Sequence, residues 1–291
     1  MSRLTAVLVL AAGLAAAGCN QLFPSPTEPS PTPSGDAVGY TAIGASDAIG
    51  YGGTVVCAPL DLGCENGTGY VQEIRRRLGQ TGKTVTFLNL GIPGSVLSQA
   101  IVTLGASIGR TLPGNFMDQA RFTPPTTTVV TVFAGGNDAN TIAQALQAGK
   151  GGADPRAFAD QQIRQWGDDY AALIATVRGR APAARLVLLN LPNLAGAPYV
   201  AGNTVAERSV LQYIAVGLAD RTNALAGAGV AVVDLLCTSA IYDPGNFASD
   251  GFHPNDRGYQ VMADLAWPVV NGGTAPAPLA SCPQRTIVPA Y

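Results

Sequence analysis

TTTVVTVFAGGNDANTIAQAL, residues 126–146, decides the fold. The β-branched, apolar run at 127–134 reads as a strand buried on both faces. It ends at Gly135-Gly136, and over 137–147 the apolar residues recur at helical spacing. A buried strand that passes straight into a helix is half of a βαβ unit, and the sequence on either side repeats the pattern. Strands are expected at 38–45 (VGYTAIGA), 83–90 (KTVTFLNL), 184–191 (ARLVLLNL) and 229–235 (GVAVVDL). Helices are expected at 68–79, 95–107, 155–178, 205–226 and 254–268. Strands alternating with helices mean an α/β fold, a parallel sheet with helices on both faces. The Pro- and Gly-rich tail from 271 reads as irregular surface chain.

In an open sheet of this kind, ligands meet the carboxyl ends of the strands. Four turns there carry chemistry. After strand one stands Gly44-Ala45-Ser46-Asp47, with a hydroxyl at the mouth of a helix, where backbone N–H groups are free to bind an anion. After strand two comes Asn89-Leu90-Gly91-Ile92-Pro93-Gly94, a turn that allows close backbone approach. After strand three, Gly135-Gly136 brings the Asn137 amide to the strand tip. After strand five and a longer loop comes Asp250-Gly251-Phe252-His253-Pro254, which contains the one histidine of the chain. Each turn alone has a plain structural explanation, such as helix capping by Ser46 or Asn137. Together they supply a nucleophile, a base, a carboxylate to orient it and oxyanion donors, the inventory for acyl transfer.

These four blocks, GASDA, NLGIPG, GGND and DGFHP, occur in the order of the SGNH hydrolase superfamily (GDSL-like esterases and lipases), which the chain resembles over residues 38–268. The resemblance implies a flavodoxin-like three-layer α/β/α sandwich with a five-stranded parallel sheet. It also implies a Ser-His-Asp mechanism without metal or organic cofactor. Ser46 would be the nucleophile, His253 the base and Asp250 its orienting partner. The backbone N–H groups of Ser46 and Gly94 and the Asn137 side chain would form the oxyanion hole. The family's first block usually reads Gly-Asp-Ser. Ala45 replaces that Asp here, which leaves the turn's support to other groups, with Asp47 a candidate for part of it.

The 291 residues are 47% hydrophobic and 12% charged, with a formal net charge of -2. This composition builds a core readily and shows no basic face for nucleic acid. The run Arg75-Arg76-Arg77 reads as a solvated helix end. Met1-Ser2-Arg3, the apolar stretch 4–17 and Ala16-Ala17-Gly18-Cys19 read as a signal peptide (1–19) closed by a lipobox, with Cys19 lipidated. Alternating Pro, Ser and Thr over 20–36 reads as an extended tether, leaving 37–291 as the hydrolase domain. The protein is therefore expected to leave the cytoplasm and sit in the cell envelope, lipid-anchored on a periplasmic or outer-membrane face, or to be secreted. A monomer is the default. In such a compartment Cys57, Cys64, Cys237 and Cys282 are expected to form two disulfides. Of the three pairings, spacing favours Cys57–Cys64 and Cys237–Cys282. No Cys-x-x-Cys suggests a metal site.

The expected activity is hydrolysis of carboxylic esters, of lipid acyl chains or acetylated carbohydrate. An acyltransferase would use the same residues, and a non-catalytic glycan- or lipid-binding lipoprotein is the alternative from another class. The apolar segment 186–201, with Leu191, Leu194, Tyr199 and Val200, either lines an acyl groove or belongs to the core.

Overall fold

A computed structural model describes residues 36–276 and 281–291. The signal segment, Cys19 and nearly all of the expected tether lie outside the described residues. The elements follow as β1 (Ala37–Ile43), α1 (Tyr70–Gln80), β2 (Thr84–Asn89), α2 (Gln99–Ala106), α3 (Phe116–Ala120), β3 (Val129–Phe133), α4 (Gly136–Gln147), α5 (Pro155–Arg180), β4 (Arg185–Leu189), α6 (Val205–Asn223), β5 (Val230–Val233) and α7 (Asp256–Val270). The five strands form one sheet in the order β2-β1-β3-β4-β5, and every pairing is parallel.

The strands are apolar on both sides because both faces are covered. Ile43, Val130, Val132, Leu186 and Leu188 point to one face, where α2 to α6 pack through residues such as Ile101, Ile142, Trp166, Leu173 and Ile214. Tyr40, Ala42, Val187 and Leu189 point to the other, against Val71 and Ile74 of α1 and Met262 and Ala266 of α7. Each large apolar side chain so buried contributes roughly 1.5–3 kcal/mol before conformational entropy is subtracted. Helix starts match local chemistry. Asp154 caps α5 through Ala157 N–H at 2.9 Å, with Pro155 in its first turn. Thr204 and Glu207 form a reciprocal capping box on α6.

Two expectations change. Residues 95–98 are not helical. Val96 N–H donates to Gly114 O at 3.2 Å and Phe116 N–H to Val96 O at 2.8 Å, so an extended bridge holds the segment and the helix begins only at Gln99. The short α3 beside it, capped by Asn115, has five residues, too few to show a period. The arginine run is not a solvated helix end. Arg77 lies between Glu73 (2.8 Å) and Asp264 (2.5 Å), tying α1 to α7, and Arg76 donates to the carbonyls of Glu65 and Gly67.

The described part of the tail is irregular surface chain, as expected, and it is docked there. Gln212 of α6 accepts from Val288 N–H at 3.1 Å and donates to Val288 O at 2.8 Å. The disulfides are Cys57–Cys64 and Cys237–Cys282. The second spans 45 positions, and closing a loop of that length restricts the unfolded chain by about 4 kcal/mol in the entropic account. Replacing both Cys237 and Cys282 by Ser should lower unfolding free energy by about that amount. Denaturant unfolding of the oxidised protein checks it, and unchanged midpoints would show that the hydrogen bonds and ion pair from Gln212, Asn193 and Asp220 hold the tail without the bridge.

Candidate active site

The sheet order reverses direction at β1, which has β2 on one side and β3 on the other. The turns after β1 and β3 therefore flank the switch point, where the strand ends open a crevice. Ser46 opens a short 3-10 turn, Ser46–Ile49, directly after β1. Neither Ser46 nor Asn137 is a helix cap. The residues before the two turns are Ala45 and Gly135, and neither makes a side-chain cap bond.

His253 Nε2 lies 2.8 Å from Ser46 Oγ, and His253 Nδ1 lies 2.6 Å from Asp250 Oδ2. With a neutral ring, Nδ1–H donates to the carboxylate and Nε2 accepts the Ser46 hydroxyl proton, the arrangement a general base requires. The other carboxylate oxygen, Asp250 Oδ1, accepts from Phe252 N–H at 2.9 Å and His253 N–H at 3.0 Å. Burial alone would raise the Asp250 carboxyl. Its hydrogen bonds with His253 and Phe252 outweigh that and hold it below the usual carboxylate range. Gly251 has φ +67°, and a Cβ there would come within 2.8 Å of Tyr199 N, so the loop needs glycine to bend against its neighbour. Rings of Tyr51 and Phe252 meet the imidazole edge-on, with centroids 4.7 and 4.8 Å away.

Hydrogen-bond donors line the same cleft. The Ser46 and Gly94 N–H groups have no hydrogen-bond partner among the described residues. Gly94 has φ +81° and lies against Pro113, which a Cβ would approach to 3.2 Å. Asn137 Nδ2 donates one hydrogen to Ser95 O at 3.1 Å, which fixes its rotamer and leaves the second N–H for a ligand. Ser46, Gly94, Asn137, Asp250 and His253 line one open cleft of about 640 Å³, together with Tyr51, Arg110, Asn140, Gln144 and Tyr199. Of segment 186–201, Tyr199 reaches this cleft. Val200 belongs to the core. Leu191 and Leu194 are core residues that also line a second, largely apolar cavity of about 60 Å³, to which Phe252 contributes as well. Among the described residues no cluster of His, Cys, Asp and Glu could hold a metal ion.

Polar side chains missed by the sequence reading hold these turns. The support for the Ser46 turn comes from Gln119 of α3, whose Nε2 donates to Gly44 O and whose Oε1 accepts from Gly44 N–H, both at 3.1 Å. Asp47 makes no side-chain hydrogen bond to another described residue. It lines the second cavity, where burial pushes its carboxyl up and nearby His253 pulls it down. Asn89 joins the first two turns, donating to Ala48 O at 2.7 Å and accepting from Gly91 N–H at 3.0 Å. Asp138, fully buried, accepts from Leu97 N–H at 2.8 Å and Trp166 Nε1–H at 3.1 Å, tying the segment after Gly94 to α4 and α5. Asn89 and Asp138 stand inside the four turn blocks. Gln119 left no signal, because its partner is 75 positions away.

The GDSL-like lipase/acylhydrolase profile matches residues 42–261, and the chain belongs to that family of ester-bond hydrolases. Among solved structures, a lipase from a goat rumen metagenome has TM-score 0.55 and 18% identity, covering 82% of this chain and 100% of its own. An extracellular lipase from Streptomyces rimosus has TM-score 0.47 and 19% identity, covering 81% of this chain and 100% of its own. A variant acetyl xylan esterase from Geobacillus stearothermophilus has TM-score 0.48 and 17% identity, covering 84% and 99%. No curated protein matches the chain.

Burial raises the Asp138 carboxyl to about 6, and its Oδ2 has no partner among the described residues. A carboxyl raised on folding costs the native state stability as pH rises from the unfolded value, near 4, through the folded one. The Asp138→Asn protein should therefore gain stability relative to the native chain between about pH 4 and 8, by roughly 2–3 kcal/mol. Urea unfolding at the two pH values checks this, and parallel curves would contradict it.

Proposed function

We propose that this GDSL-like hydrolase cleaves carboxylic esters, of lipid acyl groups or acetylated carbohydrate, through an acyl-enzyme on Ser46. The observation that carries the reading is the continuous chain from Ser46 Oγ to His253 Nε2 at 2.8 Å and from His253 Nδ1 to Asp250 at 2.6 Å, beside free Ser46 and Gly94 N–H groups. His253 takes the Ser46 proton as the oxygen attacks the ester carbonyl. Charge builds on the carbonyl oxygen, where the two N–H groups and the Asn137 amide stabilise it. Ionised Asp250 stabilises the imidazolium that forms. His253 then gives its proton to the leaving alcohol, and water, activated by the same imidazole, releases the acid and restores Ser46.

The proposal extends to location. The signal-like segment and lipobox at Cys19 support an envelope lipoprotein held by a Pro-rich tether, with a monomeric hydrolase domain at 37–291. Exchange of Cys19 for Ala should abolish metabolic labelling with palmitate. Retention of the label would remove the anchor from the reading.

The catalytic reading is tested with the full chain on p-nitrophenyl esters of increasing acyl length. Ser46→Ala and His253→Ala should each lose several orders of magnitude in turnover, and Asn137→Ala about 10²–10³-fold. Preference for acetate points to acetylated carbohydrate, and preference for long chains to lipid. Full activity in the Ser46→Ala protein would exclude the mechanism. Product analysis with added acceptor alcohols separates hydrolysis from acyl transfer.

A further inference from the structure

The cleft beside Ser46 contains a cation with no partner among the described residues. Arg110 follows α2 on a tight, closed turn. Its N–H donates to Gly105 O at 2.9 Å, with Gly109 at φ +75° in the left-handed region that ends helices. Three residues later Pro113 packs on the Gly94 turn. The backbone carrying Arg110 is thus fixed relative to the oxyanion side of the cleft.

The side chain is half-buried, and its guanidinium forms no ion pair or hydrogen bond among the described residues. Two other half-buried arginines of the chain, Arg77 and Arg208, are engaged. Arg77 has Glu73 and Asp264, and Arg208 donates twice to Ala195 O. The one carboxylate that acts on it electrostatically, Asp138, is no substitute, because it is buried and bonded to Leu97 and Trp166. Asp250, which also lines the cleft, is taken by His253. Partial burial without a counter-ion disfavours the charged form, and the Arg110 guanidinium is held below its ordinary range for that reason.

Three amide side chains line the helical wall of the same cleft. Asn137, Asn140 and Gln144 lie at successive turns of α4 along the cleft, and Tyr199 completes the wall. Asn140 is occupied, donating to Gly136 O and accepting from Tyr199 Oη at 2.9 Å, whereas the exposed Gln144 amide makes no hydrogen bond to a described residue. A planar guanidinium in a cleft that also holds a free amide matches a carboxylate or phosphate, which the guanidinium binds through two parallel N–H bonds.

We propose that Arg110 and Gln144 form an anion subsite, and that the preferred ester carries a carboxylate or phosphate in reach of Ser46. This rests on the reading of the cleft as the ester site. The anion recovers the charge pairing that the cleft denies Arg110 and orients the ester carbonyl toward Gly94 and Asn137. An overall negative protein would otherwise repel such substrates.

The test compares two matched pairs on the full chain. p-Nitrophenyl hemisuccinate against p-nitrophenyl butyrate places the anion on the acyl side, and acetylglycerol phosphate against acetylglycerol places it on the alcohol side. In at least one pair the anionic ester should have kcat/KM about 10- to 100-fold higher, the worth of one charge-assisted contact. Raised salt should shrink that ratio. Arg110→Gln should bring it close to one, Arg110→Lys should retain part of it, and the shift should appear mainly in KM. A ratio near one in both pairs for the native chain, or a ratio that survives Arg110→Gln, would overturn the subsite while leaving ester hydrolysis standing. If no ester is cleaved and a fluorophosphonate fails to label Ser46, the underlying site reading falls and the subsite with it.

Discussion

Every strand of the sheet runs the same way, and the rest of the site depends on that. Parallel strands cannot be joined by tight hairpins, so each connection crosses a face through a helix and returns to the same edge. The carboxyl ends of β1, β2, β3 and β5 therefore open on one rim, and the loops that leave them carry Ser46, Gly94, Asn137 and His253. The reversal of order at β1 separates the first and third of these loops enough to leave a crevice. No single loop contains a site, and none could assemble one without the common strand direction.

Direction brings the loops to one edge, but their spacing is set by buried amides and one buried carboxyl. Gln119 grips both backbone groups of Gly44, Asn89 joins Ala48 to Gly91, and Asp138 joins Leu97 to Trp166. Backbone groups at turns have no ladder partners, and left unpaired in the interior they would cost free energy comparable to a lost hydrogen bond. The same side chains that satisfy them also fix the separation of the turns that carry Ser46, Gly94 and Asn137. Asn137 serves twice, with one N–H on Ser95 O and the other toward the cleft.

The cleft is polar and open, with one unpaired cation among the described residues, whereas the second, smaller cavity is largely apolar. Phe252 lines both spaces and meets Tyr199 edge-on at 4.9 Å. In the proposed reading, selectivity falls to groups outside the Ser46-His253-Asp250 chain, among them Arg110 and Gln144. The Cys57–Cys64 bridge closes the loop after the nucleophile turn, and Cys57 N–H donates to Ile49 O at 3.0 Å, so that turn is braced from its far side as well.

Much of this was legible in the residues. Strands and helices in alternation required a parallel sheet, because β-branched runs such as 129–133 bury on both faces and the segments between them carry a helical period. The four turn blocks named the residues that the fold brings into one cleft, since tight turns and strand ends constrain their own few positions. Cysteine spacing pointed to both disulfides. The sequence misled where long-range hydrogen bonds outweigh local preference. Residues 95–98 have helical composition yet lie extended against Asn115, and the arginine run is consumed by α7 and a loop. By itself, then, the sequence determined the class of fold and the candidate chemical groups, because both follow from period and local turn chemistry. Only the tertiary structure decided what supports the nucleophile turn, which arginine stands unpaired beside it and where the apolar space ends. Those depend on contacts between residues tens of positions apart, which no local pattern records.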